Sequence, residues 1–318
     1  MSEVRILGAG AFGAALAIAL ARGGRSVALW GRDAAAMGRA AAERRVPRLD
    51  AALPEGVMPT ADPDPGDAPV ILLAVPMQRL GGVLAAQAPA LAGRTLVACC
   101  KGIDMETGEG ASALIARHVP GARAAVLTGP SFAADIAAGL PTALTLAVRG
   151  EGEALQRALS TEALRLYLTD DVTGAEIGGA LKNVTAIACG AAIGAGMGAS
   201  ARAALMTRGH AEATRLAAAL GADPATLAGL SGLGDLALTC HSELSRNYRL
   251  GLALGGGAPR DDGVTVEGAA TARAVLPLAA AQGVDMPVAE ATVALLNGDD
   301  PRAVAAALLS RPLRSEAE

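Results

Sequence analysis

Aromatic residues are scarce in this chain, and no long run of one charge interrupts it. Phe, Trp and Tyr make up 2% of 318 residues, whereas 52% are hydrophobic and 40 are Gly. A core of this composition is packed from small side chains with close helix–helix contacts. High hydrophobicity with little net charge argues against a disordered chain. The 27 Lys and Arg and 31 Asp and Glu leave a formal charge of -4. Both signs are interspersed, which argues against non-specific polyanion binding, so no nucleic-acid partner is expected. Cys99, Cys100, Cys189 and Cys240 include no C-x-x-C pair. The first two lie in an apolar strand-like run and read as buried thiols. With no signal peptide at Met1, a reducing cytoplasm is the expected location. His118, His210 and His241 share no ligand spacing, so no metal site is expected.

One uncharged stretch, NVTAIACGAAIGAGMGASA between Lys182 and Arg202, approaches the roughly 20 residues that cross a bilayer. Its Gly and Ala content and the lack of any partner segment favour a buried core helix, so no membrane span is expected.

The length accommodates two domains, each with its own core. Val4–Leu7 reads as a strand, Phe12 or Gly13 to Arg22 as a helix ending at Gly23 and Gly24, and Ser26–Trp30 as a second strand. Further strands are expected at Val70–Val75, Thr95–Cys100, Ala124–Leu127 and Ala143–Val148, with helices at Leu80–Ala90 and Ala111–Arg117 between several of them. Unbroken apolar runs such as VILLAV suit parallel strands covered on both faces. After about Asp171 strand signals nearly vanish and Ala-rich segments dominate. The expected fold is α/β: a Rossmann-like, mostly parallel sheet domain over residues 1–175, then an all-helical C-terminal domain over 176–318.

Gly8, Gly10 and Gly13 form G-x-G-x-x-G between the first strand and helix. The first glycine allows the tight turn, the second lets backbone approach a pyrophosphate, and the third allows close helix–strand contact. Phosphate charge then meets unpaired N–H groups at the helix start. This predicts dinucleotide binding. Asp33 stands 20 residues after Gly13 and is placed to accept from the ribose 2′-hydroxyl of NAD. Arg32 beside it can pair with the 2′-phosphate of NADP, leaving Asp33 to cap the helix AAAMGRAA. The balance leans slightly to NADP over NAD.

Lys101 follows the strand TLVACC, at the carboxyl edge where such sheets bind ligands. In GPSFA, Gly129 permits close backbone approach, and Ser131 can cap a helix or donate to a phosphate, capping being the plainer role. Lys182 is the only cation between Arg165 and Arg202. Burial beside another cation lowers a lysine pKa and makes it a base; its neighbour Asn183 can fix a polar group. Asp235 is the one acid in GLSGLGDLALTC, and a buried carboxylate needs a partner. Lys182 is the partner expected, a helix cap the simpler alternative. Ser245, Arg246 and Asn247 offer a forked cation between two hydrogen-bonding side chains, a chemistry suited to phosphate.

Taken together, ILGAGAFGAALA at Ile6–Ala17, ACCKG at Ala98–Gly102, LTGPSFAADI at Leu127–Ile136, ALKNVTAIACG at Ala180–Gly190, GLSGLGDLALTC with SRNYRLG at Gly229–Gly251, and VEG at Val266–Gly268 resemble the bacterial-type NAD(P)-dependent glycerol-3-phosphate dehydrogenases. The resemblance runs in order over essentially the whole chain. It implies reversible hydride transfer between the nicotinamide and C2 of sn-glycerol 3-phosphate, giving dihydroxyacetone phosphate, with glycerol 3-phosphate supplied to phospholipid synthesis. It also implies roles. Lys182 is the proton acceptor, Lys101 touches substrate and cofactor, and Asp235 orients Lys182 and the substrate. Gly129, Ser131, Ser245, Arg246 and Asn247 line the phosphate end. Ala11, Phe12, Arg32, Ala133, Val264 and Glu267 neighbour the cofactor, as do Gly8, Gly10, Gly13, Lys101 and Arg246. Ala11 departs from the family's usual Ser, which removes one side-chain hydrogen bond. A homodimer is expected for such an enzyme, although Ala-rich helices pack equally well within one chain. Two rival readings share the glycine turn: a related dehydrogenase of hydroxy acids or sugar acids, and a non-catalytic dinucleotide sensor.

Overall fold

The computed structural model describes residues 3–47, 49–258, 266–310 and 312. Its first half alternates strands and helices: β1 (Val4–Leu7), α1 (Ala11–Arg22), β2 (Val27–Trp30), α2 (Ala34–Glu43), a small antiparallel ribbon of β3 (Arg45–Val46) and β4 (Leu49–Ala52), then β5 (Val57–Thr60) and β6 (Val70–Leu73). There follow α3 (Met77–Leu91), β7 (Thr95–Ala98), α4 (Ala111–His118), β8 (Arg123–Thr128), α5 (Ala133–Ala138), β9 (Thr142–Val148), α6 (Glu153–Leu159) and β10 (Leu164–Thr169). Eight strands form one sheet in the order β10-β9-β8-β7-β6-β1-β2-β5. All neighbours are parallel except β8 and β9.

The order reverses at β1, with β2 and β5 on one side and β6 to β8 on the other. The crevice for a ligand in such a sheet lies at that reversal, beyond the carboxyl ends of the strands. The sheet is buried on both faces, which accounts for the unbroken apolar runs. Ile6, Leu29 and Leu144 pack with Leu16 and Ile18 of α1 on one side. Leu7, Leu73 and Leu96 pack with Leu80 and Leu84 of α3 and Ile115 of α4 on the other.

The six expected strands are present within two residues, but β3, β4, β5 and β10 were not anticipated. β5 contains Pro59 and pairs on one side only, the edge position where a strand tolerates proline. β10 is the opposite edge and alternates: Leu164 and Leu166 are buried, Arg165 and Tyr167 exposed. A search for continuous apolar runs passes over a strand covered on one face.

The second half is helical: α7 (Val172–Gly194), α8 (Gly198–Ala219), α9 (Pro224–Leu227), a π-helical turn at Leu230–Gly234, α10 (Asp235–His241), α11 (Arg246–Gly256), α12 (Glu267–Ala281), α13 (Pro287–Asn297) and α14 (Pro301–Leu309). α7 starts where Asp171 caps it, Oδ1 accepting from Gly174 N at 2.8 Å. It is apolar and long enough to cross a membrane, yet 83% of its most apolar window is buried inside the protein. The small residues permit unusually close helix packing. A Cβ at Gly190 of α7 would lie 2.2 Å from the Tyr248 carbonyl oxygen of α11, and one at Gly251 would lie 2.1 Å from that of Ile187.

Candidate active site

The glycine turn occupies the reversal of strand order. Gly8 ends β1 with φ +125°, and a Cβ there would lie 2.5 Å from the Ala74 carbonyl oxygen after β6. At Gly13 a Cβ would lie 2.0 Å from the Gly8 carbonyl oxygen. These two positions therefore require glycine to hold β1, β6 and α1 together. Gly10 differs, since a Cβ there meets no described residue within 4 Å beyond its own chain neighbours. It is also the N-cap of α1, with no side-chain cap and no acid in the first turn. The first N–H groups of α1 thus remain for an anion, and the open side of Gly10 admits it. This cradle fits the pyrophosphate of a dinucleotide. Ala11 and Phe12, both half-buried, follow in the first turn.

Beyond β2, Arg32 is exposed, and Asp33 caps α2, its Oδ1 accepting from Ala36 N at 3.0 Å. The capping alternative for Asp33 is the one observed, and Arg32 remains the free charge at this strand end.

The carboxyl ends of β7 and β8 bring Lys101 and Gly129 to the same edge, and the helical half presses a carboxylate against them. Asp235 is fully buried at the first position of α10. Its Oδ2 accepts from Lys101 Nζ at 2.5 Å and its Oδ1 from Lys182 Nζ at 2.7 Å. Lys101 Nζ also donates to the Gly129 carbonyl oxygen at 3.0 Å. Thr239, one turn beyond Asp235, donates its hydroxyl proton to the Asp235 carbonyl oxygen at 2.6 Å and accepts from Lys182 Nζ at 2.8 Å. Asp235 thus holds two lysines whose side chains are only 14% and 10% exposed.

Helix α7 reaches this edge because it carries glycines there. A Cβ at Gly179 would lie 2.6 Å from Thr128 Oγ1, and one at Gly178 would lie 2.7 Å from the Ser231 carbonyl oxygen.

Two ammonium groups on one carboxylate leave a net positive charge in a nearly dry site. Burial pushes the Lys182 pKa down to about 8; Asp235 pulls it up and the Lys101 charge pushes it lower. A neutral amine has two N–H bonds and a lone pair. With the N–H bonds spent on Asp235 and Thr239, the lone pair is left to take a proton. Lys101, with two of its three N–H bonds used, keeps one for a ligand.

The remaining candidates surround the cluster unevenly. Arg246 is exposed at the start of α11. Ser245 caps that helix, its Oγ accepting from Tyr248 N at 3.2 Å, which leaves its hydroxyl proton free to donate. Asn247 is buried and ties three elements: its Nδ2 donates to Asn183 Oδ1 at 2.8 Å and its Oδ1 accepts from Gly268 N at 2.9 Å. Asn183 therefore fixes a polar neighbour, as its position suggested. Glu267 is half-buried at the start of α12 and accepts from Met77 N at 3.3 Å; burial raises its pKa, partly offset by Met77 N–H and Arg246. Ala133 opens α5. Val264 lies outside the described residues.

The capping expected of Ser131 is not what the structure has: Phe132 is the N-cap of α5 without a side-chain bond, and Ser131 Oγ donates to the Gly129 carbonyl oxygen at 3.2 Å. α5 begins at Ala133 with Phe132 as its N-cap, so Ser131 stands one residue outside the capping position and its hydroxyl turns back to Gly129. Nor is Asp235 a helix cap, because the N-cap of α10 is Gly234. Thr239 was missed, although its four-residue spacing from Asp235 on a helix was a usable signal. Cys99 is buried, with its thiol pKa pushed up to about 12 by that burial, and Cys100 is partly buried. Among the described residues no three His, Cys, Asp or Glu side chains gather as metal ligands.

Comparison with known proteins points the same way. The family profile described as NAD-dependent glycerol-3-phosphate dehydrogenase N-terminus matches residues 3–154, and the C-terminus profile matches residues 171–306. A glycerol-3-phosphate dehydrogenase (NAD(P)+) of Cereibacter sphaeroides is 61% identical over 317 residues, covering 98% of this chain and 100% of that protein. One from Paracoccus denitrificans is 57% identical, covering 99% and 100%. The crystal structure of glycerol-3-phosphate dehydrogenase from Coxiella burnetii superposes with a TM-score of 0.92 at 34% identity, covering 98% of this chain and 99% of that one. With its glycine cradle at the sheet's reversal and its lysine pair on a buried aspartate, the chain belongs to the family of NAD-dependent glycerol-3-phosphate dehydrogenases.

Proposed function

We propose that Lys182 is the proton acceptor, and in the reverse direction the donor, for the C2 oxygen in the family's NAD(P)-dependent interconversion of sn-glycerol 3-phosphate and dihydroxyacetone phosphate. The observation that carries this reading is the fully buried Asp235 bridging Lys101 and Lys182. When bound, the nicotinamide cofactor gives or takes the hydride. The chain's own residues do the rest. Lys182 in its neutral form keeps its lone pair toward the substrate hydroxyl while Asp235 and Thr239 hold its N–H bonds. Lys101 directs its remaining N–H at the same oxygen, where it stabilises charge developing on it. Positive charge retained by the cluster, together with Arg246, Ser245, Asn247, Ser131 and the backbone of Gly129, favours the substrate phosphate.

In this reading, residues 1–175 are the dinucleotide-binding domain and 176–318 the substrate domain. Gly8, Gly10, Ala11, Phe12 and Gly13 hold the pyrophosphate, Arg32 meets the adenosine end, and Ala133, Glu267, Val264, Lys101 and Arg246 complete the cofactor site. The exposed Arg32 favours NADP over NAD by a small margin. We assign the chain to the reducing cytoplasm as a homodimer supplying glycerol 3-phosphate to phospholipid synthesis; the free state of its four cysteines suits that compartment. The test is a steady-state assay of dihydroxyacetone phosphate reduction with NADPH and NADH in parallel. Turnover with both, faster at limiting NADPH, is expected. Absence of turnover, or preference for a phosphate-free hydroxy acid, overturns the reading.

A further inference from the structure

Glu176 stands outside the lysine cluster, six residues before Lys182 on α7, or about 9 Å along the helix. Its carboxylate crosses to the sheet half. Oε1 accepts from Ser112 N at 2.7 Å and Oε2 from Ser112 Oγ at 2.6 Å, and the Ala111 N–H donates to it as well. α4 has no cap of its own, since its N-cap is Gly110 without a side-chain bond. A Cβ at Gly110 would lie 2.9 Å from Glu176 Oε2, so the missing side chain leaves room for the incoming carboxylate. An anion from another element thus satisfies the orphan N–H groups and meets the positive end of α4.

This clasp has consequences for the reacting groups because α4 ends the loop that begins at Lys101. The loop is stiff: Asp104 N donates to the Glu109 carbonyl oxygen at 2.9 Å, Thr107 N to Asp104 Oδ2 at 2.9 Å, and Gln78 bonds both the Ile103 carbonyl and Met105 N. Lys101 sits at one end and the partners of Glu176 at the other. Between Glu176 and Lys182, a Cβ at Gly179 would lie 3.8 Å from Lys101 Cγ, so α7 also rests on the stem of Lys101.

We propose that Glu176 is a positioning residue for the dehydrogenase reaction: by clasping the start of α4 to α7 it fixes the separation of Lys101 and Lys182 across Asp235. The proposal rests on the assignment of Lys182 as proton acceptor. Misplacing a reacting group by about 1 Å costs up to about 100-fold in rate, so Glu176→Ala lowers kcat about 10- to 100-fold. It also moves the pH dependence. Lys182 is faced by Asp235, Lys101, Thr239 and Cys240. When Lys101 drifts away, its repulsion is lost and Asp235 pairs with Lys182 alone. Both changes favour charged Lys182, so the pH at which glycerol 3-phosphate oxidation half-rises moves upward.

The experiment measures kcat, KM, the pH profile and Tm for Glu176→Ala, Glu176→Gln, Ser112→Ala and Lys182→Ala. Glu176→Gln keeps an acceptor for Ser112 N and supplies an N–H that Ser112 Oγ can accept, so it restores kcat to within about threefold of wild type and restores the pH midpoint. Ser112→Ala removes one of the bonds and changes both in the direction of Glu176→Ala, by less. A plain helix cap predicts a lower Tm with unchanged kcat per folded enzyme and an unchanged midpoint; that result overturns the proposal. If Glu176→Ala does not fold, Ser112→Ala decides by the same two readouts. Retained turnover in Lys182→Ala removes the base assignment and the positioning role with it. An inactive Lys182→Ala beside a Glu176→Ala of wild-type kcat and midpoint removes only the positioning role.

Discussion

Among the described residues none beyond its chain neighbours comes within 4 Å of where a side chain on Gly10 would begin, whereas the carboxylate of Asp235 is wholly enclosed and held by two ammonium groups. The two regions prepare for ligands by opposite means. At the turn, side chains are missing, and binding falls to backbone N–H groups at the start of α1, which cannot titrate or change rotamer. At the cluster, side chains from the loop after β7, from α7 and from α10 meet, and their charge states decide what happens. The first arrangement suits a cofactor that must be held the same way in both redox states. The second suits chemistry in which a proton must move.

This contrast predicts that the cluster can be disabled without touching the cradle. On the proposed assignment Lys182→Ala removes the proton-accepting lone pair, and general acid–base catalysis contributes about 10²- to 10⁴-fold. Turnover should fall about 10³-fold while NADPH affinity, followed by fluorescence titration, stays at the wild-type value. Joint loss of turnover and cofactor binding would merge the two regions into one.

Within the cradle, Gly13 and Gly10 should part company. Gly13→Ala drives a methyl group to 2.0 Å from the Gly8 carbonyl oxygen, and overpacking of this kind costs about 1–3 kcal/mol of stability; both Tm and NADPH affinity should drop. Gly10→Ala meets no described residue beyond its chain neighbours, so Tm should hold while NADPH affinity falls about tenfold, equivalent to about 1.4 kcal/mol. Wild-type NADPH binding in Gly10→Ala would mean that the pyrophosphate does not lie on that open side.

The cluster should also be sensitive to pH where the cradle is not. The Lys182 pKa, near 8, lies well below the ordinary lysine value of 10.5 because burial outweighs the pull of Asp235. Proton acceptance needs the neutral form, so kcat/KM for glycerol 3-phosphate oxidation should rise as pH passes through about 8. Reduction needs the charged form and should decline over the same interval. Stopped-flow rates in both directions, with NADPH affinity measured at each pH as the control, would expose a flat profile if another group accepts the proton.

The difference in construction also explains what could be read from the chain alone. A strand, three spaced glycines and a helix are contiguous, so the cradle was legible in full, as was the handover from sheet to helices near Asp171. Lys182 and Asp235 were legible as a pair because each is a lone charge in an apolar stretch that has to be neutralised. The bond from Lys101 to Asp235 spans 134 residues and depends on β7 ending opposite α10, which no local pattern encodes. Thr239 escaped because threonine is common and its use here depends on the helical register after Asp235. Glu176 escaped for the same reason as the Lys101–Asp235 bond: its partner Ser112 is 64 residues away, on the other half of the molecule.

The smallest effect belongs to the far end of the cradle, where the proposed role of Arg32 rests on its charge. Asp33 is committed to capping α2, so its carboxylate is partly spent before any ribose arrives, whereas Arg32 is exposed and unspent beyond β2. A charge-assisted hydrogen bond contributes about 1.5–3 kcal/mol, less at an exposed position screened by salt. Arg32→Ala should therefore raise KM for NADPH about three- to tenfold and leave KM for NADH and both kcat values nearly unchanged. The NADPH effect should shrink as ionic strength increases, because it is electrostatic. Equal weakening of NADPH and NADH would place Arg32 against the adenine or ribose common to both, and the proposed preference for the 2′-phosphate would lose its support.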